Sequence, residues 1–295
     1  MPLFAVMDNQ SATRILRIQL DQAANTLVTG IFNAQKLHFE THHMTKIPFY
    51  AGYNTSYSEC FELDNFVHSA DLIDAVTRNT AIPVWDPNTI GIEHIKALFV
   101  GVNSPANNNV IAIQTFTKKQ ILDTSKSFVM QLIGAANTFS QAANVGFNID
   151  DKLVAIIDGN KIFFKSFFKL RSIFDMNAYF QEATDDQLDD FSNHASFLLP
   201  AGFDIKSIAD TPLRSKVTLV INNGILNSQN MSILKAAAQK ITFPLQTQFV
   251  GANEKIIMPS TKREIKALLD FLDEDIFTSE LTQQVFKANS KRPYV

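Results

Sequence analysis

The sequence predicts an α+β fold, with antiparallel hairpins interleaved with helices and arranged in two subdomains. Three observations carry that expectation. Pairs of apolar runs are split by short turn-forming segments, which is how antiparallel strand pairs read. Amphipathic helical stretches fall between them without the strand–helix–strand rhythm of a doubly wound sheet. The composition is globular, at 46% hydrophobic residues with only ten Gly and ten Pro in 295 residues. The 25 phenylalanines imply a core built largely of phenyl rings, which bury apolar area without needing a polar partner. No internal repeat or low-complexity segment is visible. No Gly-, Pro- or Ser-rich linker divides the chain. The expected division is an N-terminal α+β region over residues 1–92 and a second α+β region over 93–295.

The elements follow in order. Residues 13–20 alternate in period two, as a half-buried strand does. Leu27, Ile31, Phe32 and Leu37 fall on or near one helical stripe. Residues 47–66 are aromatic and turn-rich, which suits short strands and loops. A helix over Asp71–Asn79 is expected behind an N-cap at Ser69, and Pro83–Gly91 is a loop. The apolar runs Ile95–Val102 and Val110–Phe116, split by the polar segment Asn103–Asn109, form an antiparallel pair. A helix is expected over Lys119–Phe139. Leu153–Ile157 and Ile162–Phe164 flank Asp158-Gly159-Asn160, the clearest hairpin in the chain, because Asp-Gly accepts the positive φ of a tight primed turn.

Residues 167–174 turn helical, and Thr184-Asp-Asp-Gln187 reads as a capping box that opens a helix to His194. One helix or two short ones cover Asn222–Lys240. Gln246–Val250 and Lys255–Met258 form a second hairpin. Ser260 or Thr261 caps an amphipathic helix carrying Ile265, Leu268, Leu269 and Leu272 on one face. A further capped helix is expected after Thr278 or Ser279, followed by a basic tail.

The net charge of −3 means the whole chain does not attract polyanions, so nucleic-acid binding must rest on local patches or on an oligomer that aligns them. A single cysteine, Cys60, excludes an intrachain disulfide framework and a cysteine-based zinc site. No signal peptide and no transmembrane run are readable, so an intracellular, soluble chain is expected.

The densest chemistry lies in Lys161–Phe174, with four cations, five phenylalanines and no acid. Cations neutralise phosphate, and aromatic rings either take unstacked bases or bury a core. On a strand Lys161, Phe163 and Lys165 share one face. The helix that follows carries Phe167, Leu170, Arg171 and Phe174 on one side, with Lys169 off it. Two readings stand: Lys161, Lys165, Lys169 and Arg171 contact a phosphate backbone, or they form a solvated rim over a phenylalanine core.

Charge is also segregated along the chain. Thr211–Asn253 contains no acid but carries Arg214, Lys216, Lys235 and Lys240, just downstream of Asp185, Asp186, Asp189 and Asp190. Such segregation suits an oriented field or a merely solvated face. His38 and His42 are four apart but have no third ligand, so no metal site is expected. Glu264-Ile265-Lys266 has the form of a magnesium nuclease motif, yet it falls in an amphipathic helix rather than on a core strand. No nucleophile elbow, Walker loop or dinucleotide fingerprint is present.

The order of several segments resembles the KwaB family, the soluble subunit of the Kiwa anti-phage defence system. They are Ile156–Lys161, Phe163–Asp175, Leu268–Asp275, Ser279–Thr282 and the terminal Ser290-Lys291-Arg292. The resemblance covers roughly residues 95–295 and is weaker before that. It implies a non-enzymatic, dimeric effector that binds DNA and works with a small membrane-spanning partner subunit, itself cytoplasmic and recruited to the inner membrane, with no cofactor. It assigns no residue roles. The candidate contacts Lys161, Lys165, Lys169, Arg171, Arg214, Lys216, Lys291 and Arg292 rest on local chemistry alone. A metal-dependent nuclease and a non-enzymatic interaction scaffold remain the alternatives.

Overall fold

A computed structural model describes residues 2–8, 14–104, 107–122, 130–133, 138–141, 146–288 and 290–292. The chain is α+β and forms two compact units, Met1–Asp175 and Met176–Val295. Position 92/93, where the sequence reading divides the chain, lies inside the first unit.

The first unit is organised by a mixed eight-stranded sheet. Its elements are β1 (Leu3–Met7), β2 (Ile15–Ile18), α1 (Gln22–His42), β3 (Thr45–Pro48), β4 (Glu59–Leu63), α2 (Ser69–Thr77), β5 (Ile95–Ser104), β6 (Asn107–Thr115), β7 (Ile121–Leu122), β8 (Met130–Ile133), β9 (Thr138–Gln141), β10 (Gly146–Phe147), β11 (Ala155–Asp158), β12 (Lys161–Phe164) and α3 (Phe167–Arg171). The strand order is β2-β1-β5-β6-β11-β12-β4-β3. All neighbours are antiparallel except β3 and β4.

Alternation along these strands sends side chains to two buried faces. One face brings Leu98, Val100, Ala112, Ile156 and Phe163 together with Val28, Phe32 and Phe39 of α1. Residues of opposite parity, including Phe99, Ile111, Ile157, Ile162 and Phe164, are fully buried on the other. There α2 crosses so closely that a Cβ on Gly101 of β5 would lie 2.2 Å from Val76 Cγ1. Asp21 caps α1 by accepting from the Ala24 amide at 2.7 Å.

The hairpin at Asp158-Gly159-Asn160 forms as expected, with Asp158 paired to Lys161. The turn itself is Gly159-Asn160, and Gly159 supplies the positive φ of 59°. Three expectations are corrected. Ser69 does not cap α2; it is the first helical residue, and its hydroxyl donates to the Phe66 carbonyl at 2.6 Å. The helix expected over Lys119–Phe139 is absent from the described part, where β7, β8 and the start of β9 lie instead. Apolar residues there pair across strands, and the remainder of that stretch lies outside the described residues. The strands β5 and β6 also run into the segment expected as a loop, leaving only 105–106 outside them.

The second unit contains α4 (Asp185–Ser192), β13 (Phe197–Leu198), α5 (Thr211–Asn223), α6 (Ile225–Ser228), α7 (Met231–Lys240), β14 (Thr247–Val250), β15 (Asn253–Ile257), α8 (Lys262–Leu272), β16 (Ile276–Thr278) and β17 (Val285–Lys287). Its core joins Leu188 and Phe191 of α4, Leu213, Val217 and Val220 of α5, Leu234 of α7 and the apolar stripe of α8. The Thr184/Gln187 capping box is present, and Thr261 caps α8. The two short helices expected over Asn222–Lys240 are α6 and α7. Helix α5 before them was not expected, and it starts where Asp210 accepts from the Leu213 amide and Pro212 sits in the first turn. The helix expected after Thr278 is a hairpin instead, β16 against β17. Ser279 Oγ accepts from the Leu281 and Thr282 amides, and Gln283 adopts φ 56°, so local turn chemistry prevails over the helical spacing.

Candidate nucleic-acid interface

The Lys161–Phe174 segment divides its phenylalanines as a core and its cations by partner. Phe163, Phe164 and Phe174 are buried. Lys161 and Phe163 share a face of β12, Lys165 follows the strand's end, and Lys46 Nζ lies 4.0 Å above the Phe163 ring. Lys161 is held by Glu62 and Asp64 of the neighbouring chain segment, the second at 3.0 Å. Those carboxylates, Glu62 first, keep its pKa above the ordinary lysine value. Arg171 stands over the Phe167 ring at 5.9 Å and makes further interactions.

Lys165 and Lys169 differ. Lys165 Nζ donates to the carbonyls of Ser56 (2.8 Å) and Tyr57 (3.0 Å). Neutral carbonyls do not offset the cost of partial burial, which pulls its pKa below the ordinary lysine value. Lys169 sits in the first turn of α3, fixed by its amide to Ser166 Oγ at 3.3 Å, and its ammonium is exposed. Among the described residues neither lysine has a carboxylate within salt-bridge distance. Beside Lys169, Phe168 leaves its ring 78% exposed.

Both lysines line a cleft of about 180 Å³ with Gln35 and His38 of α1, Ser166, and Lys152 from the segment before β11. Asp151 is the acid in its wall. Lys152 is a residue the sequence reading missed, because its place beside Lys169 depends on the path the chain takes into β11, which no local motif marks. Phe39 and His43 also line an adjoining cavity of about 380 Å³ that includes Lys36 and Lys46. Burial lowers the His43 pKa, against the Tyr57 carbonyl it contacts at 2.9 Å, and the Lys165 charge lowers it further.

The other candidates lie in the second unit and are engaged by acids. Arg214 bonds Asp185 at 2.6 Å and the Ala183 carbonyl at 2.8 Å. Lys206 bonds Asp189 at 2.9 Å, Lys235 reaches Glu254 and Lys240 reaches Glu280, each at 2.8 Å. The charge segregated along the chain is therefore largely paired in space. Lys216 enters a cluster of three buried aspartates, Asp270, Asp273 and Asp275, with its closest contacts to Asp275 and, at 3.0 Å, Asp273. Lys287 reaches Asp270, and Lys291 lies 3.1 Å from Asp275. Burial opposes the charge on Lys216, but the hydrogen bonds it donates to Asp275 and Asp273 outweigh it and raise the pKa. Arg292 also has partners.

His38 and His42 stack at 3.8 Å. Glu264 lies in the first turn of α8, accepting from the Thr261 hydroxyl at 2.7 Å, while Ile265 is buried. Among the described residues no three His, Cys, Asp or Glu side chains are grouped to hold a metal. No helix among them is long and apolar enough to cross a membrane.

No curated protein and no solved structure matches the chain. A family model, Kiwa protein KwaB-like, matches residues 92–282. That span holds β5 through β12, α3 and the three lysines of the cleft, Lys152, Lys165 and Lys169, but not its α1 wall, together with α4–α8. It stops before Ser290-Lys291-Arg292. Since it covers well over half of the chain and contains the hairpin and helix end on which the resemblance rests, the chain belongs to the KwaB-like family and is a component of a Kiwa anti-phage defence system.

Proposed function

We propose that the chain serves the defence system as a non-catalytic DNA-binding component, taking backbone phosphates without reading base sequence. It would act as a homodimer and with a small membrane-spanning partner subunit, recruited to the inner membrane from the cytoplasm. The observation that carries this reading is the convergence of Lys152, Lys165 and Lys169 on one cleft with no carboxylate salt bridge to any of them among the described residues. Cations that hold no carboxylate can take phosphate without first giving up an anion. Lys161, Arg214, Lys216 and Lys291 reach phosphate only by exchanging it for an acid they already hold. Arg171 and Arg292 are further candidates. Phe168, exposed beside Lys169, adds an apolar contact to a sugar or a base step.

The test is a salt series on pure protein with duplex DNA. Three phosphate contacts give a loss of about 40-fold in affinity between roughly 50 and 200 mM salt. Replacing Lys152, Lys165 and Lys169 together by Ala lowers the log–log salt slope by about 2.7. An affinity flat across that range, or a triple variant with the parent slope, overturns the reading. Cleavage of the DNA with added magnesium, lost in Glu264→Gln, would favour the nuclease alternative instead.

A further inference from the structure

Sheet edges expose unpaired backbone groups, and proteins usually cover or blunt them. In the first unit β2 is covered: the Arg17 amide donates to the Pro83 carbonyl at 2.8 Å, and the Trp85 amide to the Arg17 carbonyl at 2.9 Å. The opposite edge, β3, is blunted by Lys46 and by Pro48, which has no N–H to offer. Strand β14, at the edge of the sheet β13-β15-β14, has neither protection. It is unbulged and lies in a stretch from Ile241 to Asn253 that contains no charged residue. Its Phe249 and Val250 side chains are 67% and 43% exposed.

The bond from the Ile257 amide to the Gln246 carbonyl, 2.9 Å, sets the phase of the ladder. Gln246, Gln248 and Val250 bond inward to β15, so the N–H and C=O of Thr247 and Phe249 point outward. Among the described residues these outward groups meet no partner. Where the chain leads into β14, a cavity of about 360 Å³ opens between that segment and α8, lined by Phe243, Leu245, Ile257, Ala267 and Leu268. An open edge and an apolar cavity at its end are the two parts of strand-addition recognition, backbone bonds for affinity and a side-chain pocket for specificity.

We propose that β14 receives an extended, uncharged segment of a partner protein, which adds a strand to the sheet and places one aliphatic side chain in the cavity. Nucleic acid and helices cannot supply the row of N–H and C=O groups that this edge requires. A second copy is the poorer fit. Pairing two β14 strands about Gln248 sets Leu245 against Gly251 of the other copy, which has no side chain for the cavity. Pairing about Thr247 sets Leu245 against Phe249, a ring in place of an aliphatic chain, opposite an amide already bonded to the Phe243 carbonyl. The surface uses none of the cations of the DNA site and is independent of it.

The probes are two end-blocked octapeptides of alternating Thr and Ser, one with a central Leu and one with Ser in its place. The Leu peptide should slow hydrogen exchange at the Thr247 and Phe249 amides and bind on the order of tenfold or more tighter than the Ser peptide, the effect of burying one aliphatic side chain. Phe249→Pro removes one outward donor and should abolish that protection, with unchanged exchange at Ile256 and Ile257 showing that the sheet is intact. Ala267→Phe fills the cavity and should erase the preference for Leu. The proposal is overturned if millimolar Leu peptide protects neither amide, or if both peptides bind alike. It is equally overturned if the two amides are protected in the protein alone in proportion to its concentration, which would place a second copy on the edge.

Discussion

Lys216→Met separates a structural lysine from a DNA-contacting one. The side chain keeps its reach and loses its charge, facing Asp270, Asp273 and Asp275, whose side chains are only 4%, 3% and 7% exposed. Breaking a buried pair costs about 3–5 kcal/mol, mostly as the penalty of a stranded charge. Lys216 is itself 22% exposed, and Lys287 and Lys291 remain to share the load. The expected loss is therefore about 2–3 kcal/mol, or about 10 °C in the melting of a unit this size. Adding Asp275→Asn removes one stranded carboxylate and should recover part of the loss, a coupling that independent sites do not show. The folded-state pKa of Lys216 lies above its unfolded value. Its contribution is thus fully present below the ordinary lysine pKa and is lost as pH rises through the raised one. The gap between parent and variant should be constant near neutrality and close in strong alkali. Urea titration measures it. A variant with the parent urea midpoint and a lowered DNA affinity would refute the structural role and return Lys216 to the binding surface.

Other outcomes follow from single contacts. Gly101→Ala places a methyl against Val76 and should destabilise by about 1–3 kcal/mol, with Val76→Ala restoring most of it in the double variant. His68 has its pKa lowered first by burial and then by Arg14. The unfolded chain therefore binds the proton more readily, and stability falls as pH drops through the ordinary histidine range. Urea midpoints at pH 7 and pH 5 should differ less in His68→Asn than in the parent. Lys169→Glu should weaken DNA binding and flatten its salt slope more than Arg214→Glu, because Arg214 is already engaged by Asp185.

What was legible in the sequence was local. The Gly159 turn, the Thr184 capping box and the Thr261 cap each depend on a few adjacent residues, and each stands where the pattern placed it. Strands β8 and β9 and the terminal hairpin were read as helix, because apolar spacing over a short run fits either form until a cross-strand partner decides. The site was legible only in part. Lys165 and Lys169 lie on the marked segment, but that no carboxylate among the described residues pairs with them could not be read from it. Lys161 meets Glu62 from 99 residues away, and Lys216 meets Asp273 from 57. Such pairings are set by sheet order and helix packing, which composition does not reveal.

The family match begins at residue 92, yet the sheet does not. Within the first unit the matched strands form the central run β5-β6-β11-β12. Strand β1 pairs with β5 on one side of that run and β4 with β12 on the other, so residues before 92 close both of its edges. They also supply α1 over one face and α2 over the other. A fragment of residues 92–295 would expose two long edges and faces carrying Leu98, Val100, Ile111, Ile113, Ile156 and Phe163, all buried in the full chain. Long, flat, apolar edges pair with other chains. The fragment should therefore aggregate, or its first unit should lack the cooperative transition of the full chain, and adding residues 1–91 as a separate chain should restore solubility. A monodisperse 92–295 fragment that melts as cooperatively as the full chain would show that the N-terminal strands are dispensable to the fold. They would then be free to serve as an exchangeable, partner-facing element rather than as the closing edges of the sheet.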